Sequence, residues 1–161
     1  MKIRVIEVDG KRLPKMYYDA GNTKQAEFGG LRLGHEYLVY GMCVEQGCLS
    51  YLINTGNEGE LVNPSWNPAP LFIVTDHSIP ECWVFNYFAI NEEYGVAGVW
   101  GYKELALSEK HFDGLVDREA EDIILFLKNM KDCYPNDESV DSSGVSSHRG
   151  LTSHRVSDPV L

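Results

Sequence analysis

Leu31-Arg32-Leu33-Gly34-His35-Glu36-Tyr37-Leu38-Val39-Tyr40, continued through Met42-Cys43-Val44 and closed by Leu71-Phe72-Ile73-Val74, is the stretch on which the reading of this chain turns. Gly34 breaks what precedes it, and the aromatic and aliphatic residues that follow suit a pleated surface, so a strand begins there. Glu45-Gln46-Gly47 offers a turn with a residue that tolerates positive φ, and Cys48-Leu49-Ser50-Tyr51-Leu52-Ile53 returns as the hairpin partner. Tyr37 and Val39 share one face, as do Leu49, Tyr51 and Ile53, so burial pins the register. Asn54-Thr55-Gly56-Asn57-Glu58-Gly59 is a cluster of turn residues. After Leu61-Val62, three prolines (Pro64, Pro68 and Pro70) bound a loop that carries Trp66 and reads as stiff and exposed. The runs together predict a small curled β-sheet.

The pattern Leu31-x-x-Gly34-x-x-Tyr37-x-Val39, then Tyr51-x-Ile53-Asn54 with a following glycine, then Pro68-x-x-Leu71-Phe72-x-Val74, resembles the small SH3-like β-barrel domains of bacterial and phage proteins. The resemblance covers residues 31–74 and implies a fold, not an activity, because a common fold hosts many unrelated sites. The long Pro-Trp-Pro loop and the segments added on both sides depart from the usual pattern.

Outward from this unit, Ile3 to Val8 alternates as a strand, and Asp9-Gly10 signals a hairpin turn into Lys11-Arg12-Leu13. Glu81 to Phe88 reads as a strand with large rings on both faces, which calls for sandwiching between the barrel and a helix. Two glycines beside Trp100 indicate a bend or a close backbone approach. Ser108 reads as the N-cap of a short helix from Glu109 to about Leu115. Asp117 reads as the cap of a longer one, with Ala120, Ile123, Ile124 and Leu127 as its buried stripe. The expected fold is therefore α+β: a mainly antiparallel SH3-like barrel with added strands and a C-terminal capping helix. It forms a single domain over residues 1–135. From 136 to 161 the chain is rich in serine and without periodicity, and reads as a disordered tail; Ser147-His148-Arg149 recurs there as Ser153-His154-Arg155.

No run of apolar residues approaches membrane length, and the first residues show no signal-peptide apolar region, so a cytoplasmic protein is expected. Cys43, Cys48, Cys82 and Cys133 fit that compartment as buried thiols. Cys43 and Cys48 flank the hairpin turn and raise the idea of a redox or metal pair, but no second ligand pair accompanies them. No cofactor and no metal is expected.

Charge is distributed unevenly along the chain. Of a net charge of -10, the stretch from Leu33 to Tyr102 carries eight acidic residues and no lysine or arginine. An anionic surface repels phosphate backbones, which argues against nucleic-acid and anionic-membrane binding, and steers a cationic partner inward. The candidate partner-binding residues are Glu36, Glu45, Glu58, Glu60, Asp76, Glu81, Glu92 and Glu93, with Trp66 as an aromatic anchor. No spacing belongs to a catalytic pattern, so no catalytic residue is assigned. The expected function is that of an acidic immunity or antitoxin-type protein that neutralises a basic bacterial toxin by occlusion. The competing expectations are a small enzyme or ligand-binding domain using a cleft near His77, and a structural subunit of a larger assembly.

Overall fold

The computed structural model describes residues 1–56, 62–88 and 95–135. The expectations resting on Glu58, Glu60, Glu92 and Glu93, and on the tail 136–161 with its two Ser-His-Arg triplets, lie outside the described residues.

Seven strands and four α-helices are present among the described residues, in a mixed α+β arrangement whose strand pairings are all antiparallel. In β1 (Lys2–Val5), Ile3 and Val5 point inward while Lys2 and Arg4 stay in water, the alternation of a half-buried strand. Its two neighbours are β2 (Glu36–Glu45), with Ile3 opposite Tyr37, and β5 (Phe72–Asp76), with Ile3 opposite Val74. The strand order runs β4 (Pro64–Pro68), β3 (Cys48–Asn54), β2, β1, β5. A second branch leaves β2 through β7 (Val96–Gly101) to β6 (Val84–Tyr87).

β2 serves both branches because it is long and bulged. Its first residues pair with β1, whereas Gly41 to Glu45 pair with β7. The register against β3 slips between Val39 and Gly41, and the extra residue reverses the inside-outside alternation. Tyr37, Val39 and Met42 consequently pack in one core cluster with Ile3, Ile53 and Leu71. Tyr40 and Cys43 pack in the other, with Leu52, Val99, Leu105 and Phe126. The tight β2–β3 turn has positive φ at Gly47, as expected, and at Gln46 as well.

The second cluster is roofed by helices. Gly41 lies opposite Gly101, and a Cβ at either would overlap the Leu105 side chain. This glycine pair therefore seats α2 (Lys103–Leu107) on the sheet, which accounts for one of the glycines beside Trp100. Ser108 caps α3 (Glu109–Val116), accepting the His111 amide at 3.2 Å. In α4 (Ala120–Cys133), Phe126 is fully buried and packs edge-on against Tyr40, with ring centroids 5.2 Å apart.

Several expectations are corrected. Asp9-Gly10 does not turn a hairpin: the Asp9 carboxylate accepts the Lys11 amide and caps a short 3-10 helix, followed by α1 (Lys15–Asp19). The proline-bounded segment around Trp66 is not an exposed loop but strand β4; prolines are tolerated there because β4 is an edge strand and owes hydrogen bonds only to β3. β6 is not sandwiched. It too lies at an edge, with Tyr87 62 % exposed and Phe85 stacked on Trp100 at 4.5 Å. The α4 stripe is shifted: Ala120 and Ile124 face water, while Ile123, Phe126, Leu127 and Met130 turn inward. Asp117 ends α3 rather than starting α4, whose N-cap is Glu119.

The cysteines also divide differently. Cys82 and Cys133 form a disulfide, with Cα atoms 5.8 Å apart, joining the segment before β6 to the end of α4. Only Cys43 and Cys48 are buried free thiols. Among the described residues no helix is long and apolar enough to cross a membrane.

Candidate functional site

Helix α3 builds the candidate site through its spacing. Positions i, i+3, i+4 and i+7 place Glu109, Phe112, Asp113 and Val116 on one face, while His111, Gly114 and Leu115 are buried on the opposite side. Between that first face and the sheet lies a pocket of about 430 Å³. Trp66 of β4, Phe88, Val96 and Val99 of β7 form its apolar walls with Phe112 and Val116; Cys43 and Ser50 contribute from β2 and β3. The Trp66 and Phe112 rings lie 5.2 Å apart with a tilt of 31°. A volume of that size falls within the range of small-ligand sites, about 300–1,000 Å³.

Glu45, Glu109 and Asp113 also line this pocket. None of them has an ion-pair partner among the described residues. Other carboxylates are engaged. Arg4 approaches Glu36 at 3.5 Å, and the N-terminal amine approaches Asp76 at 3.8 Å. Hydrogen bonds from the Ser78 hydroxyl and amide hold the Asp76 carboxyl below the usual carboxylate range. Arg118, at φ 61° between α3 and α4, donates to the side chain of Asn63 and brings one cation back to a stretch that has none of its own.

Of the residues singled out from sequence, Trp66 and Glu45 thus meet at one pocket. Glu36 and Asp76 lie apart from it, on the β1–β2 and β1–β5 side of the sheet. Glu81 lines a shallow cleft beside the disulfide with Asp132 and Tyr134. Among the described residues, Glu45 is joined at this pocket by Glu109 and Asp113, so α3 contributes two members of an acidic rim. Glu109, Phe112, Asp113 and Val116 were missed, although their helical spacing is visible once α3 is recognised.

A second constellation has the chemical order of an acid–base relay. Asp122 Oδ1 lies 2.5 Å from His111 Nδ1, and His111 Nε2 lies 2.7 Å from the Tyr102 hydroxyl. With Nδ1–H donating to the carboxylate and Nε2 accepting from the phenol, each group is satisfied. Burial pushes the Tyr102 phenol well above its ordinary value, so it donates and does not ionise. Tyr102 and His111 are each 3 % exposed, which leaves no room for a substrate at the end of the relay. Its work is structural: it ties α3 to α4 and to the end of β7. Gly114 makes the approach possible, since a Cβ there would overlap the Asp122 carboxylate. Asp122→Ala is expected to cost about 1–3 kcal/mol, because a buried imidazole N–H loses its acceptor. Asp122→Asn, which retains a side-chain oxygen, should recover most of that loss; urea unfolding of the two variants checks both.

The remaining chemical ideas find little geometry. His77 is exposed just past the end of β5, and the nearby Cys82 is held in the disulfide. Cys43 and Cys48 belong to different core clusters, and burial pushes the Cys43 thiol up to about 12, far from a reactive thiolate. Among the described residues no group of three or more His, Cys, Asp or Glu could hold a metal ion. Comparison with protein-family models, with curated proteins and with solved structures finds no match for this chain.

Proposed function

We propose that this chain is a protein-binding module for a basic partner, of the immunity or antitoxin kind, that neutralises the partner by covering it. The observation that carries the reading is the pocket between α3 and the sheet, where Glu45, Glu109 and Asp113 have no ion-pair partner among the described residues and stand beside aromatic walls. Charged rims of this sort raise association rates and select partners of opposite sign. The net charge of -10 acts in the same direction. The experiment is co-expression with the product of the neighbouring gene, followed by measurement of the complex at low and high salt. A complex that weakens as salt rises supports the reading; no complex, or one indifferent to salt, overturns it.

Two finer readings belong to the same proposal. An SH3-like barrel is supported by the meander β1 to β4, by the bulge that lets β2 serve two sheet branches, and by the short 3-10 turn at Ala69–Leu71 that returns the chain to β5 beside β1. A cytoplasmic location was expected from sequence, and the Cys82–Cys133 bond bears against it, because such bonds persist mainly in oxidising compartments. Thiol trapping in freshly lysed cells decides the point: free Cys82 and Cys133 fit the cytoplasm, and an intact bond places the protein elsewhere.

A further inference from the structure

We infer that the pocket under α3 receives one arginine side chain of the basic partner, so that the partner is anchored by a guanidinium. The inference rests on the protein-binding reading and names the group that does the anchoring. Two features of the pocket select this occupant. Its walls are apolar and aromatic, with Trp66 and Phe112 only 31° from parallel, which suits a planar, weakly hydrated cation on a long aliphatic stem. Its rim holds Glu45, Glu109 and Asp113, and a guanidinium offers five N–H donors in a fork that matches carboxylates.

Lysine meets these features less well, because its ammonium is a compact and strongly hydrated point charge that does not stack. A neutral apolar side chain would fill the walls and leave the three rim carboxylates without a cation. Free arginine carries its own carboxylate into an anionic rim and is disfavoured for that reason. The site therefore discriminates arginine within a chain from arginine as a metabolite.

The test uses the full chain and four small probes: Nα-acetyl-arginine amide, Nα-acetyl-citrulline amide, Nα-acetyl-lysine amide and free arginine. Binding is followed by NMR chemical-shift perturbation. The arginine amide is expected to perturb β2, β3, β4, β7 and α3, and to bind about tenfold tighter than the citrulline amide, which has nearly the same shape without the charge. It should also bind more tightly than the lysine amide and free arginine. Glu109→Gln with Asp113→Asn, both at exposed positions, should weaken the arginine amide by about tenfold, and Asp113→Asn alone by less; Glu27→Gln, exposed and away from the pocket, should leave it unchanged. Equal binding of the citrulline amide, tighter binding of the lysine amide or of free arginine, or perturbations confined to another face each overturn the inference. The failures separate cleanly. If the arginine amide does not bind while a salt-sensitive complex with the neighbouring gene product survives the double substitution, the pocket assignment falls and the protein-binding reading stands. If the arginine amide binds and no complex forms, the pocket stands and the occlusion reading falls.

Discussion

Phe126→Ala is expected to lower the unfolding free energy by about 3–5 kcal/mol, the range for deleting a large ring from a closed core. Phe126 has no exposed surface and packs against two rings from separate places, Tyr40 of β2 with centroids 5.2 Å apart and Tyr102 at the start of α2 with centroids 6.4 Å apart. Removing it leaves a cavity between β2 and α4 that rigid strands cannot close. Domains of this kind are stable by only about 5–15 kcal/mol in total, so the loss is a large fraction of what holds the fold. Ile124→Ala, two positions away on the same helix, supplies the control: Ile124 is 66 % exposed, and its truncation should fall within about 0.5 kcal/mol of zero. Guanidinium unfolding of the two variants gives the comparison. Truncation before Asp117 removes α4 entirely and should leave no cooperative transition. A truncated chain that still unfolds cooperatively would show that the second core cluster does not need its roof.

The contrast between Phe126 and Ile124 also shows how far residue pattern alone carries. Strands with one wet face were legible, because alternation in β1, β2 and β3 is imposed by burial on one side, and Tyr37, Val39, Tyr51 and Ile53 do share a core. The N-cap Ser108 was legible too, since its hydroxyl accepts locally from the helix it starts. The α4 stripe was misplaced because Ile124 is as apolar as Ile123, and only the position of the sheet decides which of them is covered. Trp66 was assigned to a loop because prolines usually forbid a strand, a rule that lapses on an edge. The pocket could not be read at all until α3 was docked, since its members come from β2, β3, β4, β7 and α3 and are joined by tertiary contacts alone. The acidic rim mixes Glu45 from the cation-free stretch with Glu109 and Asp113 from a flank that also carries lysines, so charge summed by segment could not show that these three line one pocket.

Loss of the Cys82–Cys133 bond should cost about 4 kcal/mol, the chain-entropy value for a loop closed across a sequence separation of 51 residues. The bond fastens the end of α4 to the segment between β5 and β6, a region otherwise held by Phe126 and by the Tyr134 hydroxyl, which donates to the Val39 carbonyl at 2.6 Å. Cys82→Ser, Cys133→Ser and the double substitution should therefore destabilise by nearly the same amount, because any one of them opens the same loop and the effects cannot add. Treatment of the unaltered protein with a reductant should reproduce the shift, and non-reducing gel mobility before and after treatment reports whether the link was present. Two single substitutions whose costs sum in the double would mean that the sulfurs act as separate buried groups and that no link exists. The same measurement bears on where the protein works. In reducing surroundings α4 would rest on Phe126 and Tyr134 without the covalent tie, and α3, which α4 supports through the Asp122–His111 contact, would carry the acidic rim less firmly. Binding of a basic partner is then expected to weaken on reduction, even though neither cysteine lines the pocket.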